Sequence, residues 1–111
     1  MITRLVKLSL KADKASEFEK LFYQTQALIE GFEGCHTTNL FKISGSASQY
    51  FTISYWNTEQ DLENYRMSNL FKNVWSQVKP LFAENAEAWT LQGTIPVSKS
   101  TAVPVPTEKH P

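Results

Sequence analysis

Residues 49–56, Gln-Tyr-Phe-Thr-Ile-Ser-Tyr-Trp, decide the fold. They are rich in the β-branched and aromatic residue types that favour strands. Successive side chains of a strand point to opposite faces of the sheet. One face therefore carries Phe51, Ile53 and Tyr55, and the other carries Tyr50 and Trp56 with Thr52 and Ser54. Because a solvated face would normally be more polar, we expect both faces to be covered.

Downstream of this strand the apolar residues recur every three or four positions, which predicts a helix. Thr58 begins it, and Asp61, three residues on, resembles the second member of a capping box. We expect Ser68-Asn69 to interrupt or kink the helix and Pro80 to bend or end it. Residues 86–92 complete this half of the chain as a further strand.

Upstream, residues 2–11 alternate apolar and polar side chains and predict a first strand, while residues 14–32 predict an amphipathic helix. Residues 35–43 predict a second strand, joined to residues 49–56 by a hairpin loop. The order is β-α-β-β-α-β, the ferredoxin-like α+β fold, with a four-stranded antiparallel sheet and its helices on one face.

The other face of such a sheet has no helix to cover it, and here it is apolar. We expect a second copy of the chain to pack against it, sheet to sheet. The alternative is a monomer with half-exposed aromatic side chains.

The 111 residues are enough for one domain, which we place at residues 1–93. Residues 94–111 hold four of the five prolines, and we expect them to form a flexible tail. Eleven Lys and Arg balance eleven Asp and Glu, which argues against a nucleic-acid partner. No apolar run is long enough to cross a membrane. A single cysteine, Cys35, predicts neither a disulfide nor a metal site, and the expected location is the cytoplasm.

A more specific pattern runs through residues 49–89. After the strand come Leu62, Tyr65-Arg66, Ser68, Leu70-Phe71, Trp75, Leu81-Phe82 and Ala88-Trp89, and before it stands Gly31-Phe32-Glu33-Gly34-Cys35. This pattern resembles the antibiotic biosynthesis monooxygenase family of the dimeric α/β-barrel superfamily, over about residues 1–92. The resemblance implies two subunits packed through their sheets, each with a pocket between its own sheet and helices. It also implies oxidation of quinols, anthrone-type polyphenols or haem by dioxygen, in several members without metal or flavin.

The haem-degrading branch uses an asparagine on the first strand and a tryptophan and a histidine on the second helix. This chain has Val6, Tyr65 and Trp75 at those places. The resemblance therefore does not extend to haem degradation by that route.

Three polar residues are catalytic candidates. His36 is the only histidine of the predicted domain, and with Asn39 it could deprotonate a phenol or bind a quinone oxygen. Arg66 could stabilise an anion. The alternatives are a solvent-facing histidine and a surface arginine paired with Glu63 or Asp61. Four aromatic residues are candidates for a slot that stacks a planar ring, or else ordinary core: Trp56, Tyr65, Phe71 and Trp75.

The leading hypothesis is a homodimeric enzyme that oxidises a small aromatic quinol or polyphenol with dioxygen, without metal or bound cofactor. One alternative is a non-catalytic dimer that sequesters a reactive aromatic compound. Another is an isomerase or a decarboxylase on the same fold, because fold does not determine function.

Overall fold

The computed structural model describes residues 1–93. The strands are β1 (Ile2–Ser9), β2 (Cys35–Lys42), β3 (Gln49–Trp56) and β4 (Glu87–Gln92). The helices are α1 (Ala15–Glu30), α2 (Glu59–Arg66) and α3 (Asn69–Val78), with short 3₁₀ turns at Ala12–Lys14 and Lys79–Leu81. The expected proline-rich tail lies outside the described residues.

The four strands form one antiparallel sheet in the order β2-β3-β1-β4. This is the ferredoxin-like topology, so the predicted fold class is confirmed. The helices pack on one side of the sheet, which we name the covered face. Two groups of buried residues hold them there. One joins Leu8 and Tyr50 to Phe18 and Val78, and the other joins Trp56 to Leu62 and Tyr65.

The predicted break in the second helical region is present, and it separates α2 from α3. The Ser68 hydroxyl donates to the Tyr65 carbonyl at 2.6 Å and accepts from the Phe71 amide at 3.1 Å. One side chain thus ends α2 and caps α3. Thr58 caps the N-terminus of α2 as predicted, since its hydroxyl accepts from the Asp61 amide at 3.0 Å. Because α2 and α3 are separate helices, each turns its aromatic residues toward the same part of the sheet.

The opposite side of the sheet, which we name the open face, carries none of the helices of residues 1–93. In the strand register, Leu5 lies between Ile53 and Trp89, and Phe41 pairs with Phe51. Phe41, Trp89 and Leu91 are 50%, 45% and 49% exposed. The predicted division of β3 is confirmed, because Phe51, Ile53 and Tyr55 lie on the open face and Thr52, Ser54 and Trp56 on the covered face.

Candidate active site

A cavity of about 540 Å³ lies between the covered face and the helices. Its volume falls in the range that small-molecule sites occupy. The cavity floor is formed by β1, β3 and β4 with Thr38 of β2, and its walls come from all three helices. The helix-covered side of the sheet is therefore only partly filled by core residues.

One polar row crosses the floor of this cavity. Thr38 pairs with Ser54, Ser54 pairs with Arg4, and Arg4 pairs with Thr90, so the row spans all four strands. Thr38 and Ser54 are buried. The Arg4 guanidinium donates to the Thr90 hydroxyl at 2.8 Å, and the Trp56 indole N–H donates to the Ser54 hydroxyl at 3.0 Å. The rows on either side are largely apolar, so this row is the polar strip of the floor.

The walls carry a continuous series of aromatic contacts. Trp56 stacks on Tyr65 with ring centroids 5.1 Å apart, and Tyr65 meets Phe71 edge to face at 5.3 Å. Phe71 in turn stacks on Trp75 at 5.7 Å, with the ring planes 10° apart. Such separations are those of favourable aromatic pairs. The series presents flat apolar surface to any ring that enters the cavity.

Two of these rings bring hydrogen-bond donors. Within residues 1–93, the Tyr65 hydroxyl and the Trp75 indole N–H bond to no other residue, and no fully buried side-chain nitrogen or oxygen is without a partner. Both donors are therefore accessible to a molecule in the cavity. Burial, and to a lesser degree the nearby Cys35, raises the pKa of Tyr65 well above its usual value. The Tyr65 hydroxyl thus remains protonated at neutral pH and can donate.

The predicted site residues separate into two groups. Trp56, Tyr65, Phe71, Trp75 and Arg66 all line the cavity, so the structure brings these five together. His36 and Asn39 are absent from its lining within the described residues. These two polar residues therefore do not lie beside the aromatic slot, contrary to the prediction from the sequence.

The register of β2 explains where His36 and Asn39 lie. Cys35 pairs with Trp56 and Thr37 with Tyr55, so His36 is an extra residue without a partner in the register. It is exposed and bonds to the Asn57 side-chain oxygen. The register places Asn39 opposite Ile53, on the open face. Thr38, the preceding residue, is the one that points to the cavity.

Arg4 is the site residue that sequence reasoning missed. Ile2, Val6, Leu8 and Leu10 share one face of β1, and Arg4 stands in the same alternation. A charged residue on the buried register of a strand was the available signal, since charged residues are rarely buried without a partner. Arg4 is half-buried and lines the cavity beside Arg66.

Cys35 is not activated as a nucleophile. Burial first, and the Glu30 carboxylate second, raise the pKa of the Cys35 thiol to about 11. A thiol in that state is almost entirely protonated at neutral pH and reacts slowly. Within the described residues, no group of three or more His, Cys, Asp or Glu is placed to hold a metal ion. None of the helices in residues 1–93 is long and apolar enough to span a membrane.

The fold and the cavity define a class of protein, the ferredoxin-like α+β domains with a ligand-sized space between sheet and helices. The model of the antibiotic biosynthesis monooxygenase family matches residues 1–75. The chain therefore belongs to that family, and its resemblance to the family is confirmed. No curated protein sequence matches the chain.

Solved structures agree with this fold. A Nitrosomonas europaea protein assigned by name to the antibiotic biosynthesis monooxygenases superposes with a TM-score of 0.79 at 15% identity, covering 86% of this chain and 100% of the other. A Caulobacter crescentus protein with the same assignment has a TM-score of 0.79 at 21% identity, covering 85% and 90%. A conserved protein from Methanosarcina mazei has a TM-score of 0.78 at 19% identity, covering 85% and 94%. At these identities the likeness concerns the fold alone.

Proposed function

We propose that this chain forms a homodimeric monooxygenase that oxidises a small aromatic quinol or polyphenol with dioxygen, without metal or bound cofactor. The observation that supports this best is the cavity itself. It combines stacked aromatic walls with a single polar strip, an arrangement suited to holding a flat ring in one orientation. Family membership supports oxygen chemistry at this site.

The proposed reaction balances without a further reductant. The ionised quinol passes an electron to dioxygen, and the two resulting radicals combine to form a C–O bond at a ring carbon. The ring C–H proton is then lost and the O–O bond breaks, so that one oxygen stays on the ring and the other leaves as water. The product is a hydroxyquinone, and every electron that reduces dioxygen comes from the quinol.

The protein would contribute through binding and electrostatics. The cationic side chains at the cavity, Arg4 and Arg66, would lower the pKa of a bound phenol and so favour the anion that reacts with dioxygen. The Tyr65 hydroxyl and the Trp75 N–H would orient the substrate oxygens. The apolar walls would exclude water, which strengthens these interactions.

The open face supports the proposed homodimer. Its apolar residues lie on all four strands and are neighbours in the strand register. They are half-buried or exposed: Leu5, Phe41, Phe51, Ile53, Tyr55, Trp89 and Leu91. A contiguous apolar patch on a small domain marks an interface. Because the cavity lies on the other side of the sheet, a sheet-to-sheet dimer leaves the cavity uncovered. The cytoplasm stays our proposed location, on the single cysteine of the composition.

The test is oxygen uptake by metal-stripped protein with a panel of dihydroxynaphthalenes, anthrones and benzoquinols. We expect saturable uptake above the autoxidation rate and a hydroxyquinone or quinone product. Trp75→Ala should lower kcat/KM by about tenfold or more, because it removes a wall of the slot. Tyr23→Ala is the matched control, since Tyr23 is 62% exposed on α1 and lies outside the cavity.

The other outcomes identify the alternatives. Saturable binding without oxygen uptake would contradict the oxygenase and indicate a protein that sequesters its ligand. Product formed equally well without oxygen would indicate an isomerase or a decarboxylase. Equal loss of activity in Trp75→Ala and Tyr23→Ala would contradict the proposal that the reaction takes place in the cavity.

A further inference from the structure

The charges around the cavity are one-sided. The chain as a whole has equal numbers of acidic and basic residues. Nevertheless the charged residues that line the cavity are Arg4, Arg66 and Lys79, and no Asp or Glu of residues 1–93 is among its lining. A site whose charged side chains are all cations attracts an anion.

Arg4 is the most informative of these three cations. It is half-buried, and its described partner is the neutral Thr90 hydroxyl rather than a carboxylate. Among the described residues, ion pairs join Lys14 to Glu17 and Arg66 to Glu63, and none includes Arg4. Removing a guanidinium from water without an anionic partner is unfavourable. A ligand carboxylate would supply the missing partner.

Arg66 adds a second guanidinium to the same end of the cavity. Burial lowers the pKa of Arg4, and the positive charge of Arg66 lowers it further, while Glu63 acts in the opposite direction. The two cations are thus close enough to repel each other. Among the described residues, Arg66 pairs with the Glu63 carboxylate, at 3.3 Å. Both side chains are about half exposed to solvent, where an ion pair is weak. An anion between the two guanidiniums would relieve their repulsion.

We propose that the ligand of this cavity is an aromatic carboxylic acid, with its carboxylate held by Arg4 and Arg66 and its ring stacked against the aromatic wall. The inference rests on the proposed function, because it names the class of ring compound that the same site takes. The acid group binds, and the hydroxylated ring is the part that is oxidised.

Geometry favours a carboxylate over a lone phenolate oxygen at this position. A guanidinium presents paired N–H donors that match the two oxygens of a carboxylate. Two guanidiniums offer more donors than one phenolate oxygen can accept from. The neutral donors of Tyr65 and Trp75, by contrast, suit ring hydroxyl groups.

A redox-inert pair of compounds tests this separately from catalysis. Naphthoate and naphthamide have the same ring and nearly the same shape, but only the first is charged at neutral pH. Isothermal titration calorimetry on the wild-type chain should show naphthoate binding about tenfold more tightly or better, as expected for charge-assisted hydrogen bonds. Added salt should weaken the binding of naphthoate and leave that of naphthamide nearly unchanged.

Three variants test which side chains cause the preference for naphthoate over naphthamide. Arg4→Met and Arg66→Met should each reduce the preference for naphthoate severalfold, whereas Arg4→Lys should retain part of it. Lys72→Met is the charge-matched control, because Lys72 is exposed on α3 and does not line the cavity. A thermal melt of each variant checks folding. The salt dependence of the wild-type chain stands even if Arg4→Met does not fold.

Several results would overturn the inference. They are equal affinity for acid and amide, a preference that survives in both arginine variants, and no binding of naphthoate at millimolar concentration. The two proposals can also fail separately. A preference for the acid without oxygen uptake from hydroxylated naphthoates would support the anion site and contradict the oxygenase. Oxygen uptake from neutral quinols together with equal affinity for naphthoate and naphthamide would support the oxygenase and contradict the anion site.

Discussion

The two faces of the sheet differ in what their side chains leave unsatisfied. The covered face carries a polar strip and three cationic side chains around a cavity. The open face carries a patch of apolar side chains, of which Phe41, Trp89 and Leu91 are about half exposed. The same strands build both faces, since alternate residues of each strand point in opposite directions.

This difference indicates a division of roles. Polar groups beside an apolar wall in a cavity are typical of small-molecule sites. A contiguous apolar patch on the surface is typical of protein interfaces. We therefore propose the covered face as the site of ligand binding and the open face as the site of association.

The largest effect should come from a charge placed in the middle of the open face. Ile53 lies on an inner strand between Leu5 and Asn39, so Ile53→Glu would bury a carboxylate in a sheet-to-sheet interface. We expect the dimer dissociation constant to rise by about a thousandfold or more. Light scattering should give about twice the 12.7 kDa chain mass for the wild type and the chain mass for the variant.

The control for this prediction is Tyr23→Glu, which adds the same charge at an exposed position on α1. It should leave the mass unchanged. A wild-type chain that is monomeric at micromolar concentration would contradict the role given to the open face.

The next effect concerns the thiol on the covered face. With its pKa raised from 9.0 to about 11, Cys35 should be alkylated by iodoacetamide about a hundredfold more slowly at neutral pH than in urea. The rate should climb as the pH approaches 11. Because the folded-state pKa is the higher one, the protonated thiol contributes stability at neutral pH, and that contribution is lost as the pH rises from about 9 through 11. Equal rates in buffer and urea would contradict the burial of Cys35.

A third effect tests how the helices are held over the covered face. Gly34 has φ +87°, and a Cβ atom there would lie 2.3 Å from the Asp61 side chain near the start of α2. Gly34→Ala should lower the free energy of unfolding by about 2–3 kcal/mol, through backbone strain and this clash. Urea denaturation would measure it.

Gly45 provides the matched comparison for this substitution. It has φ +84°, and a Cβ atom there would have open space around it. Gly45→Ala should therefore cost only the backbone strain, about 1 kcal/mol. Equal losses in the two variants would show that the contact with Asp61 contributes nothing.

The smallest effect is expected at His36. It is exposed, bonds to Asn57 and lies outside the cavity lining. His36→Ala should change kcat/KM for oxygen uptake by less than about twofold. A loss of tenfold or more would indicate that His36 takes part in catalysis, and it would contradict the placement of the site on the covered face.

Local patterns predicted the fold, and five of the seven candidate site residues line the cavity, because both results depend on periodicity. Alternation in residues 49–56 assigned each side chain of β3 to the correct face, and helical spacing collected Tyr65, Phe71 and Trp75 on one side. The bulge at His36 has no marker in the local sequence. Asn39 follows it in regular register and points away from the cavity because it alternates with Thr38, which lines the cavity.

Arg4 was missed for a different reason. Its importance depends on its neighbours across the strands, Ser54 and Thr90, and the latter is 86 residues away in the chain. A single sequence does not reveal such pairing, because register is set by tertiary packing. The interruption of the apolar alternation in β1 was the only local trace.

The three tryptophans allow the central claim to be tested in one measurement. Trp56 and Trp75 line the cavity, while Trp89 lies on the open face. In a ¹H–¹⁵N correlation spectrum of the labelled chain, titration with a dihydroxynaphthoate under anaerobic conditions should shift the indole signals of Trp75 and Trp56. The indole signal of Trp89 should stay in place. Movement of the Trp89 signal with the other two unchanged would put the ligand on the open face and contradict the account.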